Sequence, residues 1–327
     1  MDRLRLAHLP TPIERYARLS AELGVDLWVK RDDATGGVEA GNKIRKLEFL
    51  FADARAKGAD AIVTCGAVQS NHCRATVAVA TRLGMTSVVL LRSTDPSAPV
   101  PDTGNAFLMK LLGAEIRVVS PAEYADRTAR MAAVADELGA RGRRPYVIPE
   151  GGSNGLGSLG YVAAMGEVRD QLDAGEGGGD RFDVVVHACG SGGTAAGVAL
   201  GCARFGVAPR VMAVAVCDSR AYFERVADRI VAEARALEPT VLVPPVTLDC
   251  DDRWKGPAYG VASDDQRGFV LGAARRHGLV LDPVYTGKAL FGLASAIRAD
   301  GLAGQRVLFL HTGGLPGLLA VSSELGL

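Results

Sequence analysis

Lys43 lies where polar residues and glycines run into a helical pattern, within VKRDDATGGVEAGNKIRKLEFL at residues 29–50. A cation is disfavoured at the positive end of a helix, and its pKa is lowered there. A neutral amine can attack an aldehyde cofactor and hold it as a Schiff base. A single lysine is more often a solvated surface residue, and Arg45 and Lys46 beside it are compatible with a plain basic face. Lys43 therefore needs support from other motifs.

A glycine-rich turn follows the apolar strand FDVVVHAC and opens a helix that begins TAAGVALG. Glycines let the backbone turn tightly, so that amide N–H groups and the positive helix end can face a phosphate. An ordinary strand-to-helix turn is the alternative. This turn has neither the G-K-[ST] of a P-loop nor a full G-x-G-x-x-G fingerprint, which favours a single phosphate monoester over ATP or NAD as its ligand. The residues of this turn are Gly190, Ser191, Gly192, Gly193 and Thr194.

Polar residues also end a strand and enter a helix in TCGAVQSNHCR. Helix N–H groups with the Ser70 hydroxyl suit an amino-acid carboxylate, and Asn71 can bond a phenolic oxygen on a cofactor ring. The alternative is a helix cap, for which serine and asparagine are favoured. Two further loop-to-helix junctions, in LDPVYTGKALFG and HTGGLPG, offer Tyr285, Thr286 and Thr312. Four such sites in one chain indicate a shared ligand.

The elements that must position these loops alternate between short apolar strands and helices. Helical stretches at about residues 72–83 and 122–138 lie between strands such as AIVTC, SVVLL and PYVIP, and the second half is again α/β. The glycine-rich GGSNGLGSLG at residues 151–160 interrupts this regularity and suggests a domain boundary. Parallel sheets bind ligands beyond the carboxyl ends of their strands. The sequence therefore predicts two open α/β domains with mainly parallel sheets.

The composition favours a small-molecule ligand. The 327 residues include 37 basic and 37 acidic side chains, so no large electrostatic footprint argues for nucleic acid or an anionic membrane. The six cysteines form no C-x-x-C pair and no zinc-site spacing, which predicts structural thiols and no metal, with Cys73 packed in the core. The N-terminus lacks the apolar region of a secretory signal, and no stretch approaches about 18 apolar residues, which indicates a cytoplasmic protein.

Six motifs occur along the chain in the order GNKIRKLEFL, QSNHCRAT, IPEGGSNGLGSLGY, ACGSGGTAAG, DPVYTGK and HTGGLPG. Together they resemble the branch of pyridoxal 5′-phosphate (PLP) enzymes that contains the D-cysteine desulfhydrases and the 1-aminocyclopropane-1-carboxylate (ACC) deaminases. The resemblance implies fold type II, as in the tryptophan synthase β-subunit, PLP as cofactor, and a homodimer. The expected domains are a large PLP-binding domain at 1–46 and 154–327, and a smaller one at 47–153 that contributes the carboxylate loop.

The resemblance also implies a role for each candidate residue, including Tyr259 in KGPAYG. Without the resemblance, this motif predicts only an aromatic residue in a turn. The residues expected to hold PLP are Lys43, Asn42, Asn71, Gly190, Ser191, Gly192, Gly193, Thr194, Thr286 and Thr312. The residues expected to bind substrate are Gln69, Ser70, Asn71, Tyr259 and Tyr285. The expected catalytic residues are Lys43, Ser70, Tyr259 and Tyr285.

Two positions distinguish the ACC deaminases from the D-cysteine desulfhydrases within this branch. The ACC deaminases have motifs similar to DPVYEGK and HLGG, and the corresponding residues of this chain are Thr286 and Thr312. A carboxylate beside the pyridine nitrogen keeps the ring a strong electron sink, which a neutral hydroxyl need not do. Opening a cyclopropane expels a carbon, whereas thiolate leaves easily because the pKa of its conjugate acid is about 8.5. The threonines therefore favour sulfide elimination, and the family pattern favours Thr312 as the one at the ring nitrogen.

The resulting hypothesis is a carbon–sulfur lyase that converts D-cysteine and water to pyruvate, hydrogen sulfide and ammonia. Lys43 would yield the cofactor to the substrate amine, take the α-proton and later release the product. The handedness of the substrate comes from the resemblance alone. The alternatives are a related lyase acting on L-cysteate, a β-substituted alanine or a biosynthetic cysteine conjugate, then an ACC deaminase, and, in another class, a non-catalytic PLP-binding protein.

Overall fold

The computed structural model describes residues 1–239 and 244–325, which contain ten strands and twelve α-helices. The strands are β1 (Ile13–Arg15), β2 (Asp26–Lys30), β3 (Ala61–Ala67), β4 (Thr86–Arg92), β5 (Glu115–Val119), β6 (Pro145–Val147), β7 (Val184–Cys189), β8 (Arg210–Ala215), β9 (Thr247–Asp251) and β10 (Arg306–Leu310). The helices are α1 (Ala17–Leu23), α2 (Lys43–Ala56), α3 (Asn71–Arg82), α4 (Gly104–Leu111), α5 (Pro121–Ala125), α6 (Arg127–Ala140), α7 (Gly155–Asp173), α8 (Gly193–Phe205), α9 (Arg220–Leu237), α10 (Asp264–His277), α11 (Thr286–Ala299) and α12 (Leu315–Ala320).

The strands form two sheets, as the α/β pattern predicted. The larger has the order β1-β2-β10-β7-β8-β9, and the smaller has the order β5-β4-β3-β6. Every pairing is parallel except that of β1 with β2. The smaller sheet takes all its strands from residues 61–147, whereas those of the larger lie in residues 13–30 and 184–310. The domain boundaries at residues 46 and 153 remain a prediction.

The central strands are buried from end to end, which explains their unbroken apolar sequences. Every residue of Val184–Cys189 is buried, and only Arg210 at the start of β8 is partly exposed. Helices cover both faces of a parallel sheet, so side chains on either side of the strand leave water. In a parallel sheet, ligands bind at the loops that follow the carboxyl ends of such strands. No helix within the described residues has the length and apolar character needed to cross a membrane.

The glycine-rich stretch at residues 151–160 differs from the interruption that the sequence suggested, because α7 begins inside it at Gly155. Its glycines allow close helix packing. A Cβ atom on Gly160 would lie 2.3 Å from the carbonyl oxygen of Arg45 on α2, and one on Gly197 of α8 would lie 2.3 Å from that of Ser158. Glycine costs a helix only about 1 kcal/mol relative to alanine. Close contact among α2, α7 and α8 offsets that cost. The glycine pattern by itself suggests a break in the chain and does not reveal this helix packing.

The helix expected at residues 122–138 is two helices that meet at Asp126. The first, α5, begins with a capping box, in which the Ser120 hydroxyl and the Glu123 carboxylate each accept a hydrogen bond from the other's backbone N–H. Asp126 has φ −101° and ψ 33°, outside the helical region. The bend between α5 and α6 places Tyr124 toward the carboxyl end of the small sheet, where its hydroxyl lies 2.7 Å from Glu150.

Candidate active site

Lys43 begins α2, as the sequence predicted, and its side chain is only partly exposed. Its Nζ donates to Oδ1 of Asn42 at 2.9 Å. Burial and, to a smaller extent, the nearby Arg74 guanidinium lower the pKa of Lys43 to about 8, while Asp282 acts in the opposite direction. The sequence argument predicted a lowered pKa from the helix end, but burial is its largest cause. Lys43 can therefore supply a neutral amine near neutral pH.

The loop before Lys43 is held from two sides. Arg74 of α3 donates from Nη2 to the carbonyl oxygen of Ala40 at 2.8 Å, and from Nη1 to that of Val38. Gly41 has φ +116°, and a Cβ atom there would lie 2.9 Å from the carbonyl oxygen of Thr312. The same oxygen accepts a hydrogen bond from the backbone N–H of residue 42 at 3.1 Å. These contacts bring Thr312 beside the start of α2.

The turn from Gly190 to Thr194 joins β7 to α8, so the free N–H groups of the first helical turn face the end of the sheet. Gly192 has φ +79°, which a residue with a Cβ atom rarely adopts. The hydroxyl of Thr194 accepts from Nδ2 of Asn42 at 3.2 Å, which ties the turn to the residue before Lys43. This arrangement suits a bound anion.

Lys46 lies one turn after Lys43 and is buried, which contradicts the basic surface face considered for it and for Arg45. Its Nζ donates to the carbonyl oxygen of Gly151 at 3.2 Å and to Oγ of Ser153 at 3.3 Å. Within the described residues no carboxylate lies at ion-pair distance from this ammonium. A Cβ atom on Gly193 would lie 3.0 Å from Nζ, so the Lys46 amine directly adjoins the glycine turn. Burial lowers the pKa of Lys46 well below its usual range, and a phosphate held in that turn would favour its ammonium form.

Ser70 is the N-cap of α3, where its Oγ accepts the backbone N–H of Cys73 at 3.1 Å. The cap and the predicted carboxylate contact are compatible, because Ser70 also lines the cavity between the two sheets. Cys73 itself is buried in an apolar cluster, and burial raises the pKa of its thiol, as the packing role predicted for it requires.

Asn71 lines the cavity, but Gln69 does not. The Gln69 side chain accepts the backbone N–H of Asn105 at 2.8 Å and donates to the carbonyl oxygen of Thr103 at 3.1 Å, so both its polar ends are used at the start of α4. Nδ2 of Asn105 in turn donates to Oδ1 of Asn71 at 2.9 Å. Asn105 thus fixes which end of the Asn71 amide faces outward, leaving its N–H₂ group to donate to a ligand. Asn105 belongs to none of the motifs recognised in the sequence, so its role could not be predicted from them.

The two tyrosines meet at the cavity wall. Their hydroxyl oxygens are 2.6 Å apart, and the rings of Tyr259 and Tyr285 are edge to face with centroids 6.1 Å apart. Removal from water raises the pKa of Tyr259 to about 12, and it also raises the pKa of Tyr285 well above its usual range. The Arg92 guanidinium lies 5.3 Å from the centroid of the Tyr259 ring, a cation–π contact that no sequence motif indicated.

The two threonines occupy different environments. Thr312 lines the cavity, whereas Thr286 is fully buried behind it. Oγ1 of Thr286 donates to Oδ1 of Asp282 at 2.7 Å and accepts the backbone N–H of Asp282 at 2.9 Å. Thr286 therefore organises the start of α11, and of the two threonines only Thr312 lines the cavity.

One cavity brings together most of the residues that the sequence singled out. Those that line it are Asn42, Lys43, Ser70, Asn71, Gly190, Ser191, Gly192, Thr194, Tyr259, Tyr285 and Thr312. Gln69, Gly193 and Thr286 adjoin it without lining it. The individual roles of these residues remain predictions.

Glu150 and His72 are among the lining residues that were not assigned from the sequence. Glu150 lies in the segment that follows β6, three residues after the strand ends, so a search of strand ends could have found it. Tyr124 donates to its Oε1 at 2.7 Å, and Arg127 lies 2.9 Å from its Oε2. His72 lies with Nε2 2.8 Å from the hydroxyl of Thr64, and its Nδ1 has no partner within the described residues. Burial lowers the pKa of His72 well below its usual range, so the ring is neutral.

Comparison with known proteins agrees with this geometry. A family model described as pyridoxal-phosphate dependent enzyme matches residues 4–313. The D-cysteine desulfhydrase of Klebsiella pneumoniae is 38% identical, over 99% of this chain and 97% of its own. A relative from Arabidopsis thaliana, named bifunctional D-cysteine desulfhydrase/1-aminocyclopropane-1-carboxylate deaminase, mitochondrial, is 39% identical over 96% of this chain and 78% of its own.

The solved structures support the same assignment. The crystal structure of an ACC deaminase homologue superposes with a TM-score of 0.88, at 36% identity, and covers 99% of this chain and 95% of that one. A threonine deaminase from Solanum lycopersicum superposes with a TM-score of 0.64 at 16% identity, a likeness in fold. This chain therefore belongs to the family of pyridoxal-phosphate dependent enzymes, with the type II fold and the PLP cofactor that its motifs predicted.

Proposed function

We propose that this protein is a carbon–sulfur lyase that converts D-cysteine and water to pyruvate, hydrogen sulfide and ammonia. The observation that carries the proposal is the position of Thr312, a neutral hydroxyl in the cavity lining next to the start of α2. Within residues 1–239 and 244–325 the one carboxylate that lines the cavity is Glu150, and Tyr124 and Arg127 occupy both its oxygens. Such a site suits an easily expelled thiolate.

The residues present fit PLP. The glycine turn with Lys46 would hold the phosphate, Asn71 the phenolic oxygen, Thr312 the ring nitrogen, and Lys43 the aldehyde carbon. PLP supplies an electron sink that stabilises negative charge at the α-carbon of an amino acid.

The chain's own groups account for the remaining steps. Ser70 and the N–H groups that begin α3 bind the substrate carboxylate and so orient the α-proton. The Lys43 amine, with its pKa near 8, takes that proton. The hydroxyls of Tyr259 and Tyr285 keep their protons at neutral pH, so the pair can donate a hydrogen bond to the departing sulfur. Hydrolysis of the released product by water then gives the keto acid and ammonia.

The test is a panel of four amino acids, D-cysteine, L-cysteine, L-cysteate and ACC, with pyruvate, 2-oxobutyrate and sulfide measured for each. We expect pyruvate and sulfide in equal amounts from D-cysteine at the highest kcat/KM. Turnover of L-cysteine or L-cysteate in preference to D-cysteine would overturn the substrate assignment. Binding of PLP without keto acid from any amino acid would favour a non-catalytic protein.

ACC deamination is the second candidate, because relatives from Pyrococcus horikoshii and Thermotoga maritima, 38% and 40% identical, are named putative 1-aminocyclopropane-1-carboxylate deaminases. Thr312 argues against it here, since a neutral hydroxyl gives a weaker electron sink than a carboxylate for expelling carbon. Release of 2-oxobutyrate from ACC without sulfide release from D-cysteine would reverse the order of the two candidates.

We also propose that the protein is a homodimer in the cytoplasm. Two helices that pack together, α4 and α12, expose a set of large apolar side chains that would gain from burial against a second copy: Phe107, Leu111, Leu315 and Leu319. All six cysteines are free, which suits a reducing compartment. Light scattering after size exclusion should give twice the chain mass, and cell fractionation should place the protein with cytoplasmic markers. A monomeric mass would refute the homodimer, and a periplasmic location would refute the cytoplasmic assignment.

A further inference from the structure

Lys288 is fully buried, and its ammonium is held by carbonyl oxygens alone. Nζ donates to the carbonyl oxygens of Lys255 at 2.5 Å, Ala258 at 2.9 Å and Val216 at 3.4 Å. Within the described residues no carboxylate lies at ion-pair distance from it. Burial lowers the pKa of Lys288 to about 8. A charge removed from water without an ionic partner is costly, so the three dipoles must be arranged to hold it.

Two of the three acceptors belong to the segment at residues 254–260, here called the tyrosine loop because it carries Tyr259. The loop is closed on its other side by Gln266, whose Nε2 donates to the carbonyl oxygen of Trp254 at 2.7 Å. Lys288 stands on the first turn of α11, three residues after Tyr285. Its ammonium therefore ties the loop that carries one tyrosine to the helix that follows the other.

Carbonyl oxygens around a single positive charge are the ligand set that proteins use for K⁺, where they replace the hydration shell of the ion. An ammonium group has a similar size and the same charge, and it offers three N–H donors to three oxygens. Unlike a bound ion, the Lys288 ammonium is attached to the chain, so it cannot dissociate from these oxygens.

We propose that the Lys288 ammonium is a built-in monovalent cation, which holds the tyrosine loop so that Tyr259 meets Tyr285. Removing its side chain leaves a site for a free K⁺ or NH₄⁺ ion at the same three carbonyl oxygens. The binding part of this inference is independent of the reaction, whereas its catalytic consequence rests on the lyase activity proposed above.

The test compares two variants of the PLP-loaded protein in tetramethylammonium buffer, to which K⁺, NH₄⁺ or Na⁺ is added. Lys288→Ala vacates the ammonium position, and Lys288→Met removes the charge while its longer side chain fills the space. We expect K⁺ and NH₄⁺ to raise the melting temperature of Lys288→Ala and to restore its kcat, which in tetramethylammonium should be roughly 10²-fold below wild type because Tyr259 is misplaced. Lys288→Met and wild type should not respond. The exposed Lys57→Ala serves as the surface control.

A crystal of Lys288→Ala soaked in Tl⁺, a scatterer of K⁺-like size, gives a second readout that does not depend on activity. Anomalous density is expected at the three carbonyl oxygens, and wild type should show none there. Full activity of Lys288→Ala without a cation, rescue of Lys288→Met by K⁺, or no response of Lys288→Ala melting to any cation would each overturn the inference. If Lys288→Ala folds only with K⁺ or NH₄⁺ present, the inference holds; if no cation lets it fold, it fails. A wild type that releases no sulfide would count against the proposed reaction alone.

Discussion

The hydroxyl oxygens of Tyr259 and Tyr285 lie 2.6 Å apart, although one tyrosine comes from a loop after β9 and the other from the residue before α11. One hydroxyl must donate to the other, which leaves a single proton to point into the cavity. The pKa values of both are raised, so this proton is retained throughout the neutral range. The pair is therefore a proton donor that works only as a unit.

Tyr259→Phe and Tyr285→Phe should each lower kcat by roughly 10²-fold, the usual loss when a positioned acid is removed. The double variant should lose little more than either single one, because both act on the same proton. Steady-state sulfide release measures these rates. Losses that multiply in the double variant would show that the two hydroxyls act independently.

Lys43 should react at a lower pH than other lysines in protein from which PLP has been removed. Its pKa of about 8 places the midpoint of its reaction with acetic anhydride near pH 8, as followed by mass spectrometry of labelled peptides. The folded protein then binds fewer protons than the unfolded one between about pH 8 and the usual lysine pKa of 10.5, so the contribution of Lys43 to the free energy of unfolding rises with pH in that window.

Arg74→Met should move the Lys43 midpoint to higher pH, because the Arg74 cation lowers the pKa of that amine. Arg82→Met is the matched control, since Arg82 stands on the same helix and reaches the same loop through Glu39 at 3.6 Å. Its Lys43 midpoint should stay where it is in wild type. Equal shifts of the Lys43 midpoint in both variants would mean that loosening of the loop, rather than loss of the Arg74 charge, changes the pKa of Lys43.

Asn105→Ala should weaken PLP binding by about 10–100-fold, the range typical of groups that orient a ligand's direct partners. The variant removes the amide that holds Oδ1 of Asn71 at 2.9 Å, so the Asn71 side chain can turn its oxygen toward the cofactor. Equilibrium dialysis with absorbance detection gives the dissociation constant. An unchanged constant would mean that Asn71 does not contact PLP.

Thr312→Val and Thr286→Val should separate function from stability. Thr286→Val leaves Asp282 short of a buried hydrogen bond and should cost about 1–3 kcal/mol of unfolding free energy. Thr312→Val should keep the fold and lower kcat, because only this hydroxyl reaches the cavity. Urea denaturation and D-cysteine turnover measure the two effects. The opposite pattern would assign the ring nitrogen to Thr286.

The sequence by itself determined the fold class, the cofactor and most of the cavity lining. Glycines before α8 and polar residues at the ends of β3 and β7 are local signals, because a tight turn or a free helix end restricts which residues can occupy it. In parallel sheets these ends meet at one edge, so local signals at several strands were enough to place Lys43, Ser70 and the glycine turn in one site.

Only the tertiary structure decided which polar residues face that cavity. Gln69 and Thr286 stand in the right motifs, but their hydrogen-bonding groups are used by Asn105 and Asp282. The sequence pattern predicts an ordinary helical lysine at position 46 and no role for Lys288. The structure buries both side chains, with no carboxylate of the described residues at ion-pair distance from either. Burial and partner choice depend on elements far apart in the chain, and a local pattern carries no information about which of them will pack against it.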